Sequence, residues 1–232
     1  MLRPLLIVGA GGFGRETAEA VRAINHAQPT WNLLGFLDDS PALLGAVVDG
    51  LPVVGPTSAL CNHPDAQVVV TIGNSENFTI RRSVVDRLAL PPERFATIIH
   101  PAAIIPRSAR VGAGTIILAG TVATSGVIIG AHVRVMPAVV FTHDDRVDDY
   151  VTFGTGAHLA GAVRICEGAY IGAGALIRDG RMIGEWALIG MGAAVTTDIP
   201  AYEVWAGTPA RFFRRVATLE DLRMLMGEAM TG

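Results

Sequence analysis

From Ala103 to Asp198 an apolar residue returns at every sixth position without a break: Ile105, Val111, Ile117, Ala123, Ile129, Val135, Phe141, Val147, Phe153, Leu159, Ile165, Ile171, Ile177, Ile183, Ile189 and Val195. Two residues earlier in each unit the chain is mostly Ala, Thr or Val, as at Ala109, Thr115, Thr121, Ala157, Ala169, Ala175, Ala187 and Ala193. A large and a small inward side chain therefore alternate with a turn. Sixteen hexapeptides in one register are the signature of a hexapeptide β-helix, each unit supplying one short strand and its corner. Three units make a triangular coil, and coils stack at roughly the 4.8 Å strand spacing. The pattern predicts a prism of about five coils with a filled core, whose function sits on the outside, at corners or between chains.

The first hundred residues follow a different pattern. A buried-strand run at Leu5–Val8 leads into Gly9-Ala10-Gly11-Gly12-Phe13-Gly14 and then into helical spacing over Arg15–Asn25. A strand at Leu33–Leu37 ends in Asp38-Asp39, and one at Val68–Ile72 ends in Gly73-Asn74; helical patterns occur at Ser58–Cys61 and Asn77–Leu88. Alternating β and α elements predict a small parallel sheet wrapped by helices. Ile98-Ile99-His100-Pro101 marks the crossing into the prism, and Ile199-Pro200 breaks the six-residue rhythm. Beyond it, Val204–Arg211 reads as extended and Thr218–Met230 as helical, through Leu219, Leu222, Leu225 and Met226. The expected division is an α/β domain over residues 1–100, the β-helix over 101–215 and a short helix over 216–232.

Half of the 232 residues are hydrophobic, enough for two cores, and the glycines fall largely at repeat corners such as Gly112, Gly130, Gly154, Gly172, Gly184 and Gly190. Net charge is −3 with the charges interspersed; no basic run exists to neutralise several phosphates, so nucleic acid is not an expected partner. Cys61 and Cys166 match no metal or redox spacing. The first residues run into a strand rather than a signal peptide, and apolar stretches are too short for a membrane helix, so a cytoplasmic protein without membrane insertion is expected.

Gly9, Gly11 and Gly14 form a G-x-G-x-x-G turn between a strand and a helix. Such a turn is either a packing device or a place where bare backbone and a helix N-terminus accept a phosphate; the flanking elements favour a nucleotide or nucleotide sugar. Asp38 and Asp39, at a strand end, read as solvated turn residues or as acceptors for ribose hydroxyls or a base N–H. A nicotinamide dinucleotide would also fit, but the sheet is short and nothing downstream supplies a hydride acceptor.

In the prism, His143 follows the inward Phe141 by two positions and should stand outward at a corner. Asp144 or Asp145 can hold its tautomer, as a general base requires. His158 lies on the same face one coil on, whereas His132 and His100 read as structural. No close histidine pair occurs, so no zinc site is expected.

Taken together, these residues resemble the bacterial sugar acetyltransferases of the sialic acid O-acetyltransferase and nucleotide-amino-sugar N-acetyltransferase type. Those are left-handed β-helix enzymes with a Rossmann-like N-terminal domain. The markers are the Gly9–Gly14 turn, Phe36-Leu37-Asp38-Asp39, Ile72-Gly73-Asn74 with Arg81, Ile99-His100-Pro101, Thr142-His143-Asp144, Gly161 and Gly207-Thr208-Pro209-Ala210-Arg211. The resemblance implies acetyl transfer from acetyl-CoA to an amino or hydroxyl group of a sugar. It makes His143 the general base, Asp144 its partner and Gly161 a backbone N–H donor to the thioester carbonyl. It puts Gly190, Gly192, Gly207, Pro209, Ala210 and Arg211 along coenzyme A. The nucleotide sugar would lie on Gly9, Gly11, Gly12, Phe13, Gly14, Asp38, Asp39, Gly73, Asn74, Arg81 and Met136. It also implies a homotrimer with sites between neighbouring prisms. Two positions depart from the family pattern: Phe13 stands where a histidine is common, and Met136 where an asparagine is. Both remove hydrogen bonds from the acceptor side, which keeps open a different acceptor or a trimer that binds nucleotide sugar without turning it over.

Overall fold

The computed structural model describes residues 1–216. The helix expected over residues 216–232 therefore lies outside the described residues, apart from Val216.

The chain opens with β1 (Arg3–Val8), α1 (Gly12–Ala27), β2 (Trp31–Leu37), β3 (Val47–Val48), β4 (Leu51–Gly55), β5 (Gln67–Val70) and α2 (Ile80–Leu88). Sheet order is β3-β4-β2-β1-β5. The pairings of β1 with β2 and β5, and of β2 with β4, are parallel. Leu5, Leu6, Ile7 and Val8 are all fully buried, because the central strand has helices on both faces. The antiparallel β3–β4 hairpin was not expected from the sequence, although Val47-Val48-Asp49-Gly50-Leu51 carries its mark. Asp49 and Gly50 both take positive φ, 47° and 77°, as a two-residue hairpin turn requires. The Ser58–Cys61 pattern forms a 3-10 turn over Thr57–Asn62 rather than an α-helix.

α1 begins at Gly12, inside the glycine turn and three residues before the helical spacing starts. A Cβ on Gly14 would overlap the Gly9 carbonyl, so the helix lies directly against the end of β1. That glycine is needed for packing.

The prism forms as the six-residue rhythm predicts. Two-residue strands stack in parallel on three walls, each residue paired with the one eighteen positions on, as in Ile128 with Arg146 and Arg134 with Thr152. One wall carries Arg110, Ile128, Arg146, Arg164 and Met182 outward. The second carries Ile116, Arg134, Thr152, Tyr170 and Leu188, and the third Val122, Val140, His158, Leu176 and Ala194. All the sixth-position apolar residues are buried except the first two, Ile105 and Val111, which are partly buried against the same core. Inside it the Phe141 and Phe153 rings meet edge to face at 5.0 Å between centroids. The crossing segment Ile98–Ile99 is itself a rung of the second wall, paired with Ile116 and Ile117. At the far end Glu203–Ala206 extends that wall, and Arg211–Arg215 closes it antiparallel.

The glycines at the repeat corners, whose lack of a Cβ suits a turn conformation, do not take positive φ at the positions named above. Gly112 and Gly172 are not left-handed; a Cβ there would come within 2.5 and 2.6 Å of the next coil's backbone. The left-handed corner residues lie two positions further on, at Gly114 and Gly174.

The sheet domain is held to the second wall by buried polar contacts. Arg81 of α2 donates to the carbonyl oxygens of Tyr150 and Val151 and to Thr152 Oγ1. His132 stacks on Tyr150 at 5.1 Å and meets Phe95 edge-on at 4.6 Å. Burial, with Arg81 beside it, lowers its pKa to about 4, so this histidine is a neutral packing residue. Among the described residues no helix is long and apolar enough to cross a membrane.

Candidate functional site

A cavity of about 890 Å³ lies between the glycine turn and the second wall of the prism, within the range of small-molecule sites. From the sheet domain come Gly9, Gly11, Gly12, Phe13, Asp38, Gly73 and Asn74; from the prism come Arg134, Met136, Tyr170 and, at the far end, Gly190 and Met191. Most of the expected acceptor residues thus meet in one place. Asp38 is pinned there by backbone: Ala10 N–H donates to Oδ2 at 2.8 Å and Ser40 N–H to Oδ1 at 2.9 Å. Phe13 and Met136 pack against one hydrophobic cluster and give this part of the lining an apolar wall.

Three residues expected on the acceptor side lie outside that lining. Gly14 lies against β1. Arg81 is bonded to the prism backbone. Asp39 accepts from Thr57 N–H and Oγ1 and pairs with Arg87; its pKa is lowered, chiefly by the Thr57 backbone bond.

His143 stands at a different corner, between the third wall and the first. Its Nδ1 meets Asp144 Oδ2 at 3.1 Å, which favours the tautomer with the proton on Nδ1 and leaves the Nε2 lone pair open. Both side chains are exposed. The corner is held between coils: Asp144 N–H donates to Ser125 O, and Ala162 N–H donates to His143 O. Gly161, eighteen positions beyond His143, lies directly against the ring, and its N–H meets no acceptor among the described residues. A Cβ on Gly161 would overlap Nε2 and come 2.5 Å from Cε1. Gly161→Ala is therefore expected to push the imidazole out of place. If the ring is the general base that the resemblance implies, such a displacement lowers kcat by about tenfold to a hundredfold, with the Kd for acetyl-CoA shifting less; equal losses in the two would contradict that role.

Asp145 is turned inward. It occupies the small inward position of its repeat, where the coils before and after carry Val127 and Val163, and it is fully buried. Oδ2 accepts from Thr142 N–H at 2.8 Å and Oδ1 from Val163 N–H at 2.9 Å. Its pKa rises to about 6 because burial outweighs those two bonds and the nearby His143; Asp144 adds to the rise. The Thr142 bond has a further consequence. At the equivalent place on other coils the N–H donates to the next coil, as Thr124 does to Phe141 O and Ala160 to Ile177 O. Thr142 instead turns to Asp145, so pairing here stops at Val140 with His158. The prism ladder is interrupted at the corner that carries His143.

The other expected cofactor residues lie at the end of the prism. Ala194 N–H donates to Gly207 O, Ala210 N–H to Ala194 O and Thr208 Oγ1 to Gly192 O, so Gly207–Arg211 folds over the last coil. Trp205 packs: its Nε1–H donates to Glu203 and its ring meets Phe212 at 6.5 Å. His158 is exposed on the third wall, paired in register with Val140 and Leu176. Of the two carboxylates expected to hold the His143 tautomer, Asp144 meets the ring and Asp145 is a core residue instead; Arg134 is a cavity residue that the sequence does not mark.

Residues 4–88 match the family model described as PglD N-terminal domain. The chain is 34% identical over 165 residues to GDP-perosamine N-acetyltransferase of Escherichia coli O157:H7, covering 71% of this chain and 73% of that protein. It belongs to the nucleotide-amino-sugar N-acetyltransferase family. UDP-N-acetylbacillosamine N-acetyltransferase of Bacillus subtilis (strain 168) is 34% identical over 122 residues, 51% of this chain and about half the length of that relative, 52%. Among solved structures, the acetyltransferase domain of PglB from Neisseria gonorrhoeae FA1090, in complex with acetyl coenzyme A, superposes with a TM-score of 0.81. That likeness comes at 32% identity and covers 92% of this chain and all of the other, 100%. The family's α/β domain and parallel β-helix are the two parts of this fold.

Proposed function

We propose that the chain transfers the acetyl group of acetyl-CoA to the amino group of a nucleotide-linked amino sugar. The observation that carries this is the corner where Asp144 orients His143 and Gly161 lies against the open Nε2. In the reaction, the amine nitrogen attacks the thioester carbonyl carbon while Nε2 takes the amine proton. The carbonyl oxygen, now an oxyanion, accepts from Gly161 N–H. Its collapse breaks the C–S bond, and the leaving thiolate takes the proton back from the imidazolium. Gly190, Gly192 and the Gly207–Arg211 segment would follow the pantetheine and nucleotide of coenzyme A. A supply of acetyl-CoA is consistent with a cytoplasmic setting.

The acceptor would bind in the cavity, with the glycine turn and Asp38 on its nucleotide. The cavity follows the second wall and the corner leading to the third wall, whereas His143 stands one corner further round the same prism. An acceptor bound there reaches a His143 only from another copy. This supports a homotrimer with each site in a cleft between prisms.

The test is free thiol released from acetyl-CoA with a panel of UDP-, GDP- and TDP-linked 4-amino sugars and free sialic acid. Sedimentation of the same sample gives the assembly. Release with one nucleotide amino sugar, from a trimer, is the expected result. Release only with sialic acid would make the protein an O-acetyltransferase, and a monomer with full turnover would refute the shared site.

A further inference from the structure

Two arginines are buried at the seam between the sheet domain and the prism without a carboxylate partner among the described residues. Arg134 is 5% exposed and Arg81 2%. Arg81 donates through Nη2 to the prism and, although its own Nε–H also finds no acceptor, it lies outside the cavity, whereas Arg134 lines it. Its Nη1 donates to Gly73 O at 2.8 Å and its Nη2 to Ile72 O, and its guanidinium carbon lies 5.0 Å from the centre of the Phe13 ring. The Nε–H is buried and finds no acceptor. Burial, with Arg81 nearby, presses its pKa well below the usual value. A guanidinium nevertheless stays charged, so the cost falls on the folded state until an anion arrives. Asp38, the carboxylate in the lining, is occupied by the N–H groups of Ala10 and Ser40. The first turn of α1 opens on the same cavity, and its N-cap, Gly11, offers no side-chain cap. Helix N–H groups and a desolvated guanidinium therefore bound one space with no negative charge left to answer them.

We propose that Arg134 is the residue through which the cavity selects an acceptor bearing an anionic oxygen group, a phosphate or a carboxylate, on the bound nucleotide sugar. The inference rests on the cavity being the acceptor site. It also gives the Met136 position a physical context: the polar group of this wall is supplied two residues earlier, by a cation instead of an amide.

The test measures Kd for uridine, UDP, UDP-glucose and UDP-glucuronate, and for guanosine and GDP, on the wild-type chain, Arg134→Met and Arg134→Lys. A charge-assisted contact in a desolvated site is expected to favour an anion by about tenfold or more. If the phosphate is the partner, the preference for a diphosphate over its nucleoside collapses in Arg134→Met and is partly kept in Arg134→Lys. If a carboxylate on the sugar is the partner, that preference survives and the one for UDP-glucuronate over UDP-glucose collapses. If Arg134→Met weakens every ligand equally, the side chain only braces the Ile72-Gly73 turn and the proposal is overturned. A wild-type chain that binds no nucleotide overturns the acceptor reading of the cavity as well. Acetyl-CoA binding, measured in parallel, keeps that outcome distinct from failure of the acetyl-transfer reading.

Discussion

His143→Ala is expected to lower kcat/KM for acetyl transfer by about 10² to 10⁴, the usual loss when a positioned general base is removed. The Kd for acetyl-CoA should hardly move, because the imidazole is exposed at a corner and fills no part of the core. The size of the loss should depend on the acceptor: an amine is partly neutral near pH 8 and can attack with its own lone pair, whereas an alcohol needs its proton removed. With an amino sugar the loss therefore belongs near the lower end and should shrink as pH rises. Asp144→Ala should cost less, since it removes the group that sets the tautomer at Nδ1 and leaves Nε2 in place. The alanine variant has no internal clash to relieve, so misfolding does not offer an easy alternative explanation. Full turnover by His143→Ala would end the assignment and leave the Gly161 corner without a base.

The prism was legible because its period is a packing requirement: every sixth residue must fill the core, and a single polar intrusion stands out. The outward placing of His143 was legible for a related reason, since counting from the inward Phe141 fixes which way it faces. The glycine turn, Asp38 and Gly73-Asn74 were legible as strand ends, where a parallel sheet gathers its ligand groups. Arg134 was not legible. It shares an Arg-Val or Arg-Ile pair with Arg110, Arg146 and Arg164, which are exposed on another wall. Only the docking of the Ile72-Gly73 turn over the second wall turns one of these arginines into a cavity residue, and docking is tertiary. The β3–β4 hairpin is the opposite case: Asp49-Gly50 between apolar pairs was readable and fixes the sheet edge. Asp145 lies between the two. An acid at the small inward position breaks the rhythm in the sequence, but its hydrogen bonds depend on where the next coil puts Val163 N–H.

Asp145 should impose a measurable pH dependence on stability. Its carboxyl has the ordinary value of 3.8 when unfolded and is raised to about 6 in the fold, burial being the main cause. Between those values the folded chain holds a proton that the unfolded chain has lost, so stability falls as pH rises through this window. Above about pH 6 both states are ionised and the fold bears the full cost, about 3 kcal/mol for a shift of this size. Asp145→Asn keeps the shape and cannot ionise. It still mispairs one amide end with an N–H, which adds a penalty constant with pH. Its stability relative to wild type should therefore improve by up to about 3 kcal/mol between pH 4 and pH 7, read by urea denaturation at each pH. His143 and Asp144 are the titratable groups that face it, and repeating the series in the His143→Ala background separates the imidazole's contribution. A difference between wild type and Asp145→Asn that stays flat across the window would show that the carboxyl is not perturbed. A slope of the expected sign would mean that the chain carries a buried ionised group at neutral pH beneath the His143 corner. The Thr142 N–H bond that helps hold this group is the one that interrupts the prism ladder there. Asp145→Val, which repeats the neighbouring coils, would then be expected to gain stability at pH 7 as Thr142 N–H returns to Leu159 O. The same change should lower kcat as the His143 corner closes against the next coil.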